Sequence, residues 1–266
     1  MTTLNINNYS EHKYIQFPDG QPHVQLAPCP VGATRVVARI KTPNDLFRLM
    51  QVANALDHCK AHKFQLVIPW LMGARYDRIM KPGDSFDLQV VANVINSLGF
   101  DQVHLFDVHS DVATLLIKNS KSHTNQKLLE YLTSQNPNKM LTLICPDAGA
   151  AKKLDHIMRF VPVKQVVHCV KKRDLSTGKI SLKVLEPELA DGEDCVIVDD
   201  ICDGGATFLA ISEQIPLARK RMLVVSHGIF SKGFMELYDA FNTIITSDSY
   251  FDGMSNDKIH VVPLNL

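Results

Sequence analysis

The chain has 266 residues, 28 Lys plus Arg against 28 Asp plus Glu, and a hydrophobic share of 45%. That length suits one large domain or two smaller ones, and the apolar share is that of an ordinary globular protein. The balanced charge excludes a global field that would draw nucleic acid or an acidic membrane surface.

In chain order, "TRVVARI" (34–40) reads as a strand. A helix follows over 42–62, opened by a cap-like Thr42 with Pro43 at its first position. "FQLVIPW" (64–70) is a second strand. "SFDLQVVANVINSLG" (85–99) is a helix opened by Ser85 and stopped by Gly99. "QVHLFDV" (102–108) is again strand-like, and the polar, Pro-containing "LTSQNPNKM" (132–140) marks a seam between halves of similar size. Beyond it come strands "LTLICPD" (141–147) and "VVHCVKK" (166–172), with helix "AGAAKKLDHIMR" (148–159) between them. The turn-rich stretch 173–194 suits a flap or hairpin. Strand "CVIVDD" (195–200) leads into helix "GGATFLAISEQIP" (204–216), and strands "RMLVVSHG", "NTIITSD" and "IHVVPL" end the pattern. Strands that are apolar throughout are buried on both faces, so strand, turn and helix in alternation give α/β with a mostly parallel sheet.

The N-terminal "MTTLNINNYSEHKY" has no basic-then-apolar leader pattern, and no apolar run approaches a membrane span. The six Cys (29, 59, 145, 169, 195, 202) show no CxxC and no zinc spacing. The expectation is reduced thiols in a cytoplasmic setting.

The stretch "CVIVDDICDGGATF" (195–208) carries the chemistry. Ligands of a parallel sheet bind at the carboxyl ends of its strands, where Asp199 and Asp200 fall. Gly204 and Gly205 let the backbone turn tightly, and Thr207 opens a helix whose free N–H groups favour an anion. Carboxylates suit sugar hydroxyls or magnesium, and amides suit phosphate, so a phosphorylated sugar satisfies both. An Asx turn with a helix cap would explain one Asp and one Gly, not three Asp after an apolar strand.

"VIVDDICDGGAT" resembles the phosphoribosyl diphosphate loop shared by type I phosphoribosyltransferases and ribose-phosphate diphosphokinases. Further segments, in family order, resemble the diphosphokinases: "FPDGQPHV" (17–24), "IPWLMGARYDR" (68–78), "LFDVHSD" (105–111), "CPDAGAAKK" (145–153), "VKKR" (170–173) and "VVSHGIFSKGFMELY" (224–238). The resemblance implies two similar type I phosphoribosyltransferase-like domains, residues 1–135 on the nucleotide side and 136–266 on the sugar-phosphate side. It implies transfer of the β,γ-diphosphoryl group of ATP to the carbon-1 hydroxyl of ribose 5-phosphate, with magnesium, releasing AMP. It assigns ATP binding to Phe17, Asp19, Gln21, Arg75, Tyr76, Asp77, Arg78 and His109. Metal binding falls to His109 and Asp147, and catalysis to Lys171 and Arg173. Sugar-phosphate binding falls to Asp199, Asp200, Asp203, Gly204, Gly205, Ala206 and Thr207. The first loop of the family stacks its Phe on adenine in a neighbouring subunit, which implies a homodimer or a larger homo-oligomer such as a hexamer.

The residues support this chemistry. Arg75 and Arg78 offer forked guanidinia for phosphate oxygens, and alternate residues Lys171 and Arg173 share a face if extended. Isolated, each has a blander reading: Arg-x-x-Arg and KKR as solvated charge, His109 as a surface or core His, Asp147 as a helix cap. Of the remaining His residues, only His227, in the "SHG" turn after a strand, draws attention.

The sequence departs from the family pattern at Gln21, where the family has an acid, at Tyr76, where it has Gln, and at Gly204, where it has a hydroxyl. Gly204 removes a donor and opens space, so a larger acceptor whose phosphate is already esterified, such as ADP-ribose, is an alternative to ribose 5-phosphate. The chain stops after "KIHVVPLNL" where the family continues into a helix, so a separate inhibitory ADP site is expected to be weak or absent. Two other functions compete. A phosphoribosyltransferase would leave "FPDGQ", "GARYDR" and "VKKR" idle. A non-catalytic regulatory subunit would be favoured if Lys171, Arg173 or His109 were missing, and all are present.

Overall fold

The computed structural model describes residues 1–8, 12–151, 153–173 and 180–264. They form two compact units that divide between residues 124 and 125.

Unit 1 comprises β1 (Thr2–Asn5), β2 (Lys13–Gln16), β3 (Pro22–Gln25), β4 (Ala33–Val37), α1 (Pro43–His58), β5 (His62–Ile68), α2 (Asp87–Ser97), β6 (Gln102–Phe106), α3 (Val112–Leu116) and β7 (Ser120–His123). Five strands make a wholly parallel sheet in the order β1-β4-β5-β6-β7, and β2–β3 is a separate antiparallel hairpin. Alternate strand residues Val36, Leu66, Ile68, Val103 and Leu105 join Leu49, Val52 and Leu56 of α1 and Leu88, Val91 and Ile95 of α2 in one core. A capping box starts α1: the Thr42 amide donates to the Asp45 carboxylate at 2.8 Å and the Asp45 amide to the Thr42 hydroxyl at 3.3 Å. Such a cap contributes about 1 kcal/mol. Helix α2 starts later than its sequence implies. Phe86, not Ser85, is its N-cap, because the Ser85 hydroxyl bonds the Asp87 side chain instead of the backbone. Gly99 ends it in the left-handed region, φ +73.

One expectation fails here. Cys29 and Cys59 are joined by a disulfide, with Cα atoms 5.7 Å apart. Neither is part of a recognisable spacing; the loop after β3 folds back onto the C-cap of α1, where Cys59 stands. The other four cysteines are free and buried. Burial pushes the thiols of Cys169, Cys195 and Cys202 up to about 12.

Unit 2 comprises α4 (Gln126–Gln135), β8 (Leu141–Cys145), α5 (Ala148–Ala151), α6 (Leu154–Ile157), β9 (Val163–Arg173), β10 (Ile180–Val184), a 3-10 turn (Pro187–Ala190), β11 (Asp194–Cys202), α7 (Ala206–Gln214), β12 (Lys220–Gly228), α8 (Met235–Ala240), β13 (Thr243–Ser247) and β14 (Ile259–Val262). Its seven strands run β10-β9-β8-β11-β12-β13-β14, parallel except for the β9–β10 pair. The helix expected over 148–159 is two single turns, closed by an i→i+3 bond from the Lys153 amide to Ala150 O at 2.9 Å. The expected flap is an antiparallel ribbon: β9 outruns its pairing with β8, which ends at His168, and continues paired to β10 alone. Residues 174–179 of that stretch lie outside the described residues. Among the described residues no helix is long and apolar enough to cross a membrane.

Candidate active site

In unit 2 the parallel strands β8, β11 and β12 end side by side, with β11 between the other two. The carboxyl end of β8 delivers Asp147, that of β11 delivers Asp199 and Asp200, and that of β12 delivers His227. Asp200 is buried at 6% exposure and Asp199 is half-buried. The Asp200 amide donates to Asp199 Oδ1 at 2.9 Å. Burial, then the adjacent Asp200 carboxylate, hold the Asp199 carboxyl well above the usual carboxylate range, and the Asp147 charge adds to this. The group is therefore poised to meet hydroxyl groups or positive charge.

Asp147 also has the structural role open to it from sequence. Its Oδ1 accepts the Ala150 amide at 2.9 Å and so caps α5. Past Asp203, Gly205 takes φ +77 as the N-cap of α7, and no side chain caps that helix. Among the described residues, the amides of Gly204, Gly205, Ala206 and Thr207 have no protein acceptor. Consecutive open amides at a helix start form an anion cradle. Asp199 and Asp200 thus stand in the last part of β11, and Asp203, Gly204, Gly205, Ala206 and Thr207 follow directly through the turn into the start of α7.

Lys171 and Arg173 lie on the ribbon, paired with Leu182 and Ile180 respectively. Their side chains are outside the described residues.

In unit 1, Phe17, Asp19 and Gln21 occupy the β2–β3 hairpin turn. The Phe17 amide bonds Gln21 O at 2.9 Å, the Gln21 amide bonds Asp19 Oδ1 at 3.0 Å, and Gly20 supplies φ +88. Asp19 is thereby used in shaping the turn, while Phe17 remains 47% exposed. The hairpin is tied to α1 by Gln51, whose amide donates to Pro22 O at 2.7 Å.

The other nucleotide-side residues follow β5 and β6. Gly73, φ +82, turns the chain so closely on α2 that a Cβ there would lie 3.2 Å from the Asp87 carbonyl. Arg75 and Tyr76 are exposed just beyond. Arg78 is not an open fork: it grips its neighbour Asp77 twice, Nε to Oδ1 at 2.7 Å and Nη2 to Oδ2 at 2.9 Å. That guanidinium holds the Asp77 carboxyl down at about 2 against the cost of burial, with help from the Ser110 hydroxyl and His109. Asp77, Arg78, His109 and Ser110 therefore form one cluster, with His109 exposed.

Two features of unit 2 had only a partial signal in the sequence. His227 is buried at 2% exposure, with Nδ1 2.8 Å from the Ser249 hydroxyl, and Ser249 and Ser247 both donate to Ser226 O. The loop after β12 is stitched to the acidic turn: the amides of Ile229 and Phe230 donate to Cys202 O at 2.8 and 3.1 Å, and that of Ser231 to Asp203 O at 3.2 Å. The sequence signals were the "SHG" turn and the 224–238 segment that contains it.

No protein-family model matches the chain. It is 24% identical over 259 residues to the ribose-phosphate pyrophosphokinase of Pyrococcus furiosus, covering 94% of this chain and 90% of that one. It is 26% identical over 246 residues to the ribose-phosphate pyrophosphokinase of Sulfurisphaera tokodaii, covering 89% and 80%. Among solved structures, the phosphoribosylpyrophosphate synthetase of Mycobacterium smegmatis superimposes with a TM-score of 0.80 at 17% identity, over 99% of this chain and 95% of that chain. At that identity the likeness shows the fold.

Proposed function

We propose that this chain, a ribose-phosphate pyrophosphokinase-like transferase by its relatives, uses ATP and magnesium to convert ribose 5-phosphate into phosphoribosyl diphosphate and AMP. The observation that carries the reading is the turn after β11. Acids suited to ribose hydroxyls stand directly before a helix start whose amides are open to a phosphate. The carbon-1 hydroxyl attacks the β-phosphorus, the bond from that phosphorus to the α,β-bridging oxygen breaks, and AMP leaves. Such transfers ask the protein for positioning and charge neutralisation rather than covalent chemistry.

In this reading Asp199 and Asp200 hold the ribose hydroxyls, and the Gly204–Thr207 amides hold the 5-phosphate. Lys171 and Arg173, on the ribbon, meet the charge that develops on the transferring group. Arg75 grips ATP phosphates, Tyr76 and Phe17 offer ring faces to the base, and Asp77 keeps Arg78 in place. Among the described residues no three of His, Cys, Asp or Glu gather into a metal cage. His109, in unit 1, and Asp147, in unit 2, are each candidate ligands, and magnesium would supply positive charge that offsets the charge of the phosphates.

ADP-ribose is a second acceptor with one observation in its favour: residue 204 is Gly, so no hydroxyl from that position serves the terminal oxygens of a monoester. The exposed Phe17 at a hairpin tip supports a homodimer or larger homo-oligomer, with this loop reaching a neighbouring copy. A cytoplasmic setting completes the reading, and the Cys29–Cys59 bridge is its least expected feature.

The test is a mass-spectrometric assay with ATP and magnesium and, separately, ribose 5-phosphate, ADP-ribose or no acceptor. AMP formed only with an acceptor, together with an acceptor heavier by one diphosphoryl group, is the expected result. ATP left intact with both acceptors refutes the reading.

A further inference from the structure

Around the acidic turn the charge does not balance. Asp199, Asp200 and Asp203 crowd the same few residues that present open amides to an anion. A phosphate entering there is repelled by those carboxylates unless a cation stands beside it. The stretch Asp199 to Thr207 contains no Lys or Arg.

The cation comes from the loop after β12. A Cβ built on Gly204 would stand 3.3 Å from both Cδ and Cε of Lys232 and 3.5 Å from its Cγ. The Lys232 stem therefore lies across Gly204, in the space that the missing side chain leaves. Gly204 thus does not open a void for a bulky acceptor, as its sequence alone suggested; its lack of a side chain makes room for Lys232. Any side chain at 204 would compete with that stem.

The loop is held firmly enough for this to matter. Besides the three backbone bonds to Cys202 and Asp203, Phe230 anchors it. Its ring covers Gly228 so closely that a Cβ there would lie 2.1 Å from it. Phe230 packs against Phe234 and Phe251, with ring centroids 4.7 and 5.5 Å away. Phe230 itself sits at φ +51 and Gly233 at φ +76, which turn the chain so that Lys232 falls between them. Lys232 is exposed, and its ammonium makes no hydrogen bond or ion pair with the described residues. The apolar stem of Lys232 packs on Gly204 while its charged head stays in solvent.

We propose that Lys232 is the phosphate-binding cation of this site, completing the Gly204–Thr207 amide cradle for the phosphoryl group on carbon 5 of the acceptor. This deepens the reading given under Proposed function and rests on it. The chemistry is shared by a phosphomonoester and by the diphosphate of ADP-ribose, so the ligand arms of the test separate them. A point charge of this kind serves either, whereas a bidentate fork would favour one geometry.

The test is calorimetric titration of wild type, Lys232→Met and Lys232→Arg with ribose 5-phosphate, ADP-ribose and unphosphorylated ribose. Met keeps the stem and its packing and removes only the charge. Loss of a charge-assisted contact predicts a Kd for the phosphorylated acceptor weaker by about 10- to 100-fold in Lys232→Met, with Lys232→Arg within about threefold of wild type. Affinity for ribose is expected to stay the same in all three proteins. Whichever phosphorylated compound the wild type prefers names the source of the phosphate. If Lys232→Met binds that compound as tightly as wild type, the role of Lys232 is overturned while the acceptor site stands. If wild type binds neither phosphorylated compound, the acceptor site itself falls, and the role of Lys232 with it. A second variant guards the argument against folding artefacts. Gly204→Thr displaces the Lys232 stem while adding a hydroxyl, so it should weaken phosphate binding in wild type but restore part of it in Lys232→Met. Equal effects in both backgrounds would mean that the two residues do not share a ligand.

Discussion

Replacing Gly205 with Ala tests whether the turn after β11 needs its glycine for conformation and for space. Gly205 sits at φ +77, and a Cβ there would come 3.0 Å from Leu237 Cδ2 and 3.5 Å from Cγ. Leu237 belongs to the core of unit 2 at 3% exposure, so its methyl groups have little freedom to retreat. Left-handed backbone costs an Ala roughly 1–2 kcal/mol. A less flexible unfolded chain offsets about 0.4–1 kcal/mol of that. Overpacking against a fixed neighbour adds roughly 1–3 kcal/mol. The sum is a destabilisation of about 2–3 kcal/mol, which at a urea slope of about 2 kcal/mol/M lowers the unfolding midpoint by about 1–1.5 M. Gly192 provides the control. It has φ +69 in the same unit but nothing within 4 Å of its Cβ position. Gly192→Ala carries the backbone term alone, about 1 kcal/mol or less, and a midpoint shift of about 0.5 M at most. Urea unfolding followed by circular dichroism measures both. Equal shifts for the two variants would refute the argument that Leu237 closes the space above Gly205, and no shift in either would refute the conformational argument.

Further expectations concern charge, thiols and the ribbon. The Asp77 carboxyl is held down at about 2, below its ordinary 3.8, first by Arg78. Its stabilisation is therefore present above about pH 4 and is lost as pH falls through about 2, an effect of at most about 2 kcal/mol that screening of the exposed Arg78 reduces. Asp77→Asn should flatten that part of the acid-unfolding curve, and superimposable curves would exclude the pair as a source of stability. Of the six cysteines, four are expected to react with a thiol reagent in denaturant without reductant, and six after reduction. Closing a loop with a sequence separation of 30 contributes roughly 3–4 kcal/mol on a chain-entropy view, so reduction should also lower the melting temperature; six reactive thiols from the outset would disprove the bridge. Lys171→Ala should keep its circular dichroism spectrum and lose about 100-fold or more in kcat, as removal of a group that meets transition-state charge does. Turnover within threefold of wild type would remove Lys171 from the chemistry.

Strands that are apolar from end to end announced themselves. Val196–Val198 and Leu143–Cys145 are buried on both faces, and nothing but a covered parallel strand accommodates such runs. The elements that sequence reasoning passed over are those stabilised by partners distant in the chain. Strand β1 is a partly exposed "TTLN" that takes its place by pairing with β4, and β7 is a polar "SKSH" defined by its pairing with β6. Helices α3 and α8, of five and six residues, are too short for a 3.6-residue period to register. The site divides in the same way. Asp199 to Thr207 was legible because its residues are contiguous and their types conflict with a buried strand. The sequence did not show that Arg78 is tied to its neighbour Asp77 through Nε and Nη2, because one dimension cannot show which way a guanidinium turns. Lys232 lies within the quoted segment 224–238 but was not singled out, because its significance is a contact with a residue 28 positions earlier, at a glycine that shows only as a missing side chain.

The position of the acidic turn follows from topology rather than from its own sequence. Strands β8 and β11 are neighbours, but the chain leaves β8 for β9 on one side of the sheet order and leaves β11 for β12 on the other. At such a reversal the connecting segments diverge, and a crevice opens outside the carboxyl ends of the two strands. Asp147 closes the first of those strands and Asp199 begins the end of the second, so their charges act on each other although 52 positions separate them. Three features gather at that crevice: a carboxyl raised by burial and by its acidic neighbours, a glycine helix start at φ +77, and amides with no acceptor among the described residues. Carboxyls crowded together in this way persist only where the surroundings hold them there. Here the surroundings are the buried run Cys195–Val198 on one side and the Phe230, Phe234 and Phe251 cluster on the other. A ligand bearing hydroxyls at one end and phosphate at the other would relieve the repelled carboxyl and the open amides together, and for that reason the binding energy of a phosphorylated ribose should concentrate on this turn.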